Sequence, residues 1–228
     1  MTPFLFKSKA DDMKRLLITI GLLFFSCAVY SNQTELQYYE PQLSFQVSQT
    51  GDSWVGTVSG TIQATEQVNI SADIDSTGYL ELGTGYGVML GDFYTEAFIS
   101  YGRADIIDIY SLGVFSGTAL NESTIAFLSS SYEWRSSSVD IIDLGIEEWK
   151  NTIGVNYSPI DFIRIGYSFN YDRKITEGGY RTNQHVQLTM RPKWIQPYFK
   201  YIFGEHRSTP SSKVTSENSY EFGVNFSF

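Results

Sequence analysis

The chain has 228 residues, of which 16 are basic and 25 acidic, giving a net charge of −9, and 16% are aromatic. Such an acidic balance argues against a nucleic-acid partner, because phosphate backbones are held through Lys and Arg. The single cysteine, Cys27, lies in the apolar start of the chain, so the remainder has no disulfide and no cysteine metal site.

Met13-Lys14-Arg15 precedes the apolar run Leu16 to Phe25, and the small-x-small site Val29-Tyr30-Ser31 follows. A positive start, an apolar stretch of about ten residues and a small-residue cleavage site describe a secretory signal peptide, too short to span a bilayer as a helix. Residues 1–31 are assigned to this region. Met13 is the alternative initiator, because Asp11 and Asp12 are out of place ahead of a signal. Loss of the region removes four basic and two acidic residues and moves the net charge from −9 to −11. Residues 32–228 read as one domain. They contain no apolar run long enough for a transmembrane helix, so a membrane location requires strands.

From Leu43 onward, segments of period two are separated by turn residues. Leu43, Phe45 and Val47 oppose Ser44, Gln46 and Ser48, and Trp54, Val58 and Ile62 form the next set. Val68 to Ile74 follows. Leu80 to Leu90 turns at Gly91-Asp92 into Phe93 to Arg103. Tyr110 to Val114 comes next, with Ser116 to Glu122 as the connection to Ala126 to Trp134. After a longer stretch, Trp149 to Tyr157 turns at Ser158 to Asp161 into Ile163 to Tyr171. Val186 to Met190 and Phe199 to Phe203 precede the last segment. Accepting Trp54 to Ile62 gives about twelve strands and leaving out the two weakest gives ten, both even numbers, as single-chain bacterial barrels require.

In the last segment Tyr220, Phe222, Val224, Phe226 and Phe228 share one face, and Ser219, Glu221, Gly223, Asn225 and Ser227 share the other. This alternation with a final aromatic resembles the C-terminal signal strand of Gram-negative outer-membrane β-barrels. The resemblance implies an all-β, transmembrane, antiparallel up-and-down barrel, with outer-membrane lipid, lipopolysaccharide and the barrel-assembly machinery as partners. It also implies a direction. Connections near Gly91, Ser116 to Glu122, Pro159 and Lys193 fall on the periplasmic side. Those at Arg135 to Glu147, Thr176 to Asn183 and Arg207 to Glu217 fall outside.

The polar faces agree with this class. Solvent-facing strand positions of soluble sheets favour Lys, Glu and Thr, whereas these are mostly Gly, Ser, Asn and Thr, which fit the crowded inside of a narrow barrel. Trp134, Trp149, Tyr157, Tyr171 and Trp194 are placed as interfacial girdles. Glu81, Glu96, Glu133, Arg135, Lys150, Arg164, Asp172, His185, Arg191, Lys200 and Glu221 fall on inward positions. Charges of both signs there either pair across the lumen or line a wet, selective channel. Oligosaccharide porins of about twelve strands are similar in size but line the pore densely with basic residues, unlike this mixed set.

Outside, Asp73, Asp75, Asp105, Asp108, Asp140, Asp143, Glu147 and Glu148 read as solvated acidic loops. His185 and His206 are the only histidines beyond the signal region and are brought to one rim by neighbouring strands, where a metal or general-base role is weighed against none. No cofactor, metal site or catalytic motif is expected. The functional reading is a narrow porin-like channel for small solutes, with a non-transporting surface-interaction barrel and a lipid-modifying barrel enzyme as alternatives.

Overall fold

The computed structural model describes residues 42–137, 145–192 and 194–227. The signal region, Asp140, Asp143, Lys193 and Phe228 therefore lie outside the described residues. Eleven strands follow one another as β1 (Gln42–Thr50), β2 (Ser53–Gln63), β3 (Val68–Asp75), β4 (Leu80–Leu90), β5 (Phe93–Ala104), β6 (Ile107–Asn121), β7 (Thr124–Ser137), β8 (Ile146–Ile160), β9 (Ile163–Lys174), β10 (Tyr180–Met190) and β11 (Ile195–Gly204). A short ribbon of β12 (His206–Arg207) and β13 (Val214–Thr215) precedes β14 (Ser219–Ser227).

Each long strand pairs with its sequence neighbours, and β1 closes on β14, giving a twelve-stranded closed barrel. The closing register runs from Gln42 opposite Ser227 to Thr50 opposite Ser219. Closure satisfies every strand edge, which is the condition for crossing lipid with strands.

Facing follows from register, since directly opposed residues share a side. Outward positions are apolar and uncovered: Trp54 is 59% exposed, Leu82 55% and Ile153 61%. Such a face is stable only against hydrocarbon. Aromatics border it. Tyr110 stacks on Trp134 at 5.2 Å and Tyr171 on Tyr180 at 5.7 Å near one rim, and Trp194 is exposed near the other.

The strands are longer than their clearest alternation. β6 continues to Asn121, so the expected connection from Ser116 is strand and the turn is Glu122-Ser123. Likewise β8 continues to Ile160, and the turn expected at Ser158 to Asp161 lies at Asp161-Phe162. A register shift between Tyr157 and Ile160 accommodates Pro159, which has no N–H to give the ladder. Turns at one rim are short. The other rim carries the strap Glu205–Asn218, which folds inward.

Glycines on the inner wall make room for large inward side chains. A Cβ at Gly102 would strike the Tyr79 ring, one at Gly154 the Phe127 ring and one at Gly223 the Tyr198 ring. At Gly113 it would lie 2.6 Å from Phe98 Cζ. Rings laid flat over glycine keep the wall thin, and space remains along the axis.

Candidate functional site: a strapped, charged lumen

The strap follows Gly204, whose φ of +95° disfavours a side chain and where an added Cβ would lie 2.7 Å from the Thr182 carbonyl oxygen. Beyond it Asn183 Nδ2 donates to the Glu205 carbonyl at 3.1 Å. At the strap's tip, Ser208, Thr209 and Pro210 border two cavities. The larger, about 740 Å³, is also bordered by Glu81, Glu96, Glu133, Arg135, Lys150, Asp172 and His185. The smaller, about 190 Å³, lies toward β1, β2 and Glu221. The strap thus stands inside the lumen and divides it.

Ion pairs hold the strap there. Arg181 on β10 bridges Glu148 on β8, with Nη2 to Oε2 at 3.0 Å, and Asp172 on β9, with Nη2 to Oδ2 at 2.7 Å. Arg207 of the strap donates from Nη2 to Glu148 Oε1 at 3.1 Å. Beside this cluster Glu133 accepts from Arg135 Nη2 at 2.6 Å and pairs with Lys150. Arg135 also donates from Nη1 to the Pro210 carbonyl at the strap's tip, at 2.5 Å. Lower down, Lys200 meets Glu221 at 2.8 Å. The Tyr198 hydroxyl bridges Glu221 on β14 and Gln46 on β1 across the closing seam, at 2.9 and 2.8 Å.

These pairs run along the wall between nearby strands or up to the strap. Pairing across the open lumen, one of the two arrangements the sequence allowed, is not seen among the described residues, because Lys and Arg on nearby strands reach their carboxylates without crossing solvent. Glu81 accepts from the Tyr79 hydroxyl, and Glu96 from Tyr94 at 2.6 Å and Asn69 at 3.1 Å. Arg164 faces the lumen opposite Thr189, and Arg191 continues the inward alternation beyond β10. Each has a buried Nε without a hydrogen-bond partner.

Of the acids read as solvated loop residues, Asp73, Asp75, Asp108, Glu147 and Glu148 lie in strands and none of them is exposed, and two are buried. Glu148 is 2% exposed at the heart of the ion-pair cluster. Asp75 ends β3, where its Oδ1 accepts from the backbone N–H of Thr77 at 2.8 Å and of Tyr79 at 3.1 Å. That turn aims Tyr79 inward against Ile109 and Ala104. Arg181 and Glu148 were legible in principle, since they extend inward alternations, Arg181 by two steps from His185 and Glu148 by one from Lys150. Arg207 had no such signal.

His185 and His206 both border the larger cavity. His206 Nδ1 lies 3.0 Å from the Gly204 carbonyl and Nε2 lies 2.7 Å from Ser219 Oγ. A carbonyl can only accept, so Nδ1 donates to it, while Nε2 and the serine hydroxyl share the second hydrogen bond. Ser219 in turn contacts Thr50 on β1 and is 2% exposed. The pair pins the strap to the β1–β14 seam. His206 Nδ1 meets a carbonyl where a triad would place a carboxylate. Among the described residues no group of three or more His, Cys, Asp or Glu side chains could hold a metal ion.

A closed antiparallel barrel with an apolar exterior and a polar, partly strapped interior defines the class of membrane-spanning outer-membrane β-barrels. No family model and no curated protein matches this sequence. Solved structures do. The chain is similar to the NanC porin, with a TM-score of 0.69 and 13% identity over 82% of this chain and 100% of that one. It is similar to the KdgM porin in complex with disordered oligogalacturonate, with a TM-score of 0.66 and 14% identity over 82% and 99%. An outer membrane channel from Pseudomonas putida F1 gives a TM-score of 0.60 and 11% identity over 88% and 100%. At these identities the likeness is one of fold.

Proposed function

We propose that the protein is a narrow outer-membrane channel for small solutes, constricted by its own strap. The observation that carries this reading is the polar cavity of about 740 Å³ inside the closed barrel, bordered by charged groups and the strap's tip. A purely structural barrel of this size has no need of a polar interior space, whereas a diffusion channel does. Its fold is shared with proteins described as porins. The ion pairs that hold the strap also support a second reading, a barrel that presents its long-loop rim to surface partners and transports nothing.

Planar-bilayer recording of the refolded protein separates the two. Discrete small conductance steps are expected; a silent bilayer over a wide voltage range, from protein shown to be folded, supports the second reading. The proposed location brings lipid and lipopolysaccharide against the apolar exterior. It also makes β14 the segment met by the assembly machinery. Replacing Phe228 by a polar residue should then reduce folded protein in the outer membrane, and an undiminished yield would refute that role.

A further inference from the structure

Pairing neutralises much of the lumen's charge, and what it leaves over is not scattered. Among the described residues, Asp73, Glu81 and Glu96 have no cation within ion-pair distance, and neither Arg164 nor Arg191 has a carboxylate. Asp73 and Glu81 stand directly opposite each other on β3 and β4. Arg164 on β9 pairs with Thr189, two residues before Arg191. Like charges directly opposite each other on a sheet are destabilising, so the Asp73–Glu81 pair carries a cost that no cation among the described residues offsets.

The two groups face each other. In the ring of twelve strands, β3 and β9 stand six places apart, as do β4 and β10, so they lie on opposite walls. Asp73 and Glu81 lie toward the long-loop end, and Glu96, in the short-turn half of β5, borders the larger cavity. The arginines lie at the short-turn end. The result is a field that crosses the lumen obliquely, from an arginine wall to a carboxylate wall. Low-dielectric walls concentrate such a field in the wet space between them.

We infer that this lumen selects small zwitterions, free α-amino acids foremost, over neutral solutes of the same size and over singly charged ones. This inference rests on the channel reading above. An ion of either sign is attracted by one wall and repelled by the other, whereas a zwitterion turns its carboxylate toward Arg164 and Arg191 and its ammonium toward Glu96 and Glu81. A neutral solute gains neither. The field therefore lowers the barrier for a dipole without trapping it on one fixed site, as passage requires.

The test compares alanine with lactamide, its uncharged isomer, by swelling of liposomes containing the purified full-length protein, with sodium acetate as the singly charged probe. Alanine is expected to enter several-fold faster than lactamide, and the ratio should fall toward one in R164Q/R191Q and in D73N/E81Q/E96Q. In the same variants the reversal potential in a KCl gradient should move in opposite directions. It shifts toward cation selectivity when the arginines are neutralised and toward anion selectivity when the carboxylates are. Lactamide entry with no alanine preference overturns the inference alone. A preference that survives both neutralisations, or reversal potentials that do not move, also overturns it. Entry of no solute at all overturns the channel reading and this inference with it.

Discussion

Arg181 shows how single side chains set the interior. Its guanidinium holds Glu148 and Asp172 together while 3% exposed, and all three sit on different strands. Buried pairs of this kind add little net stability relative to apolar packing, but removing one partner strands the others in a poorly solvated place. Arg181→Ala should therefore cost about 3–5 kcal/mol, read as an earlier urea midpoint for loss of the heat-modifiable folded form. Neutralising the acids as well, in R181A/E148Q/D172N, should recover much of that loss. A single variant as stable as the parent would show that water reaches and screens these carboxylates. The sequence placed Asp172 and Lys150 on the inner wall by alternation alone. It left Arg181 in an expected loop, because an alternation seen only from its centre does not reveal where its hydrogen bonds stop.

At the scale of elements, the strap is the departure from a plain up-and-down barrel. β1 to β11 and β14 follow from period two and turn residues, and the twelve-strand count rested on accepting Trp54 to Ile62 as a strand. Arg207 to Glu217 was legible as a long outer connection, but its inward course was not. That course depends on Gly204 turning against Thr182, on His206 meeting Ser219 and on Arg207 reaching Glu148. These contacts join residues far apart in sequence, and periodicity carries no trace of them. Replacing Glu205–Asn218 by a short turn should raise the single-channel conductance while leaving a folded barrel. E148Q, which weakens the Arg207 anchor together with the Arg181 pair but leaves the His206 and Arg135 contacts to the strap, should raise it less. Unchanged conductance after excision would place the constriction elsewhere on the wall.

For the whole molecule the decisive quantity is the apolar exterior. Ile153, near the middle of β8, is 61% exposed, and a charge there would face hydrocarbon. Ile153→Arg should destabilise the folded barrel in vesicles by about 2–4 kcal/mol, whereas a charge at Trp54 near the rim should cost about 0–1 kcal/mol. Equal effects at the two sites would argue against a membrane band centred on Ile153. By itself the sequence determined the barrel class, the inward and outward faces and the mixed lumen charge, because strand periodicity is local and one face had to meet lipid. Tertiary structure alone decided which charges are neutralised, where the strap lies and which uncompensated groups oppose each other. Those depend on closure of β1 against β14, which sets every wall's distance from every other and leaves no mark on any short stretch of chain.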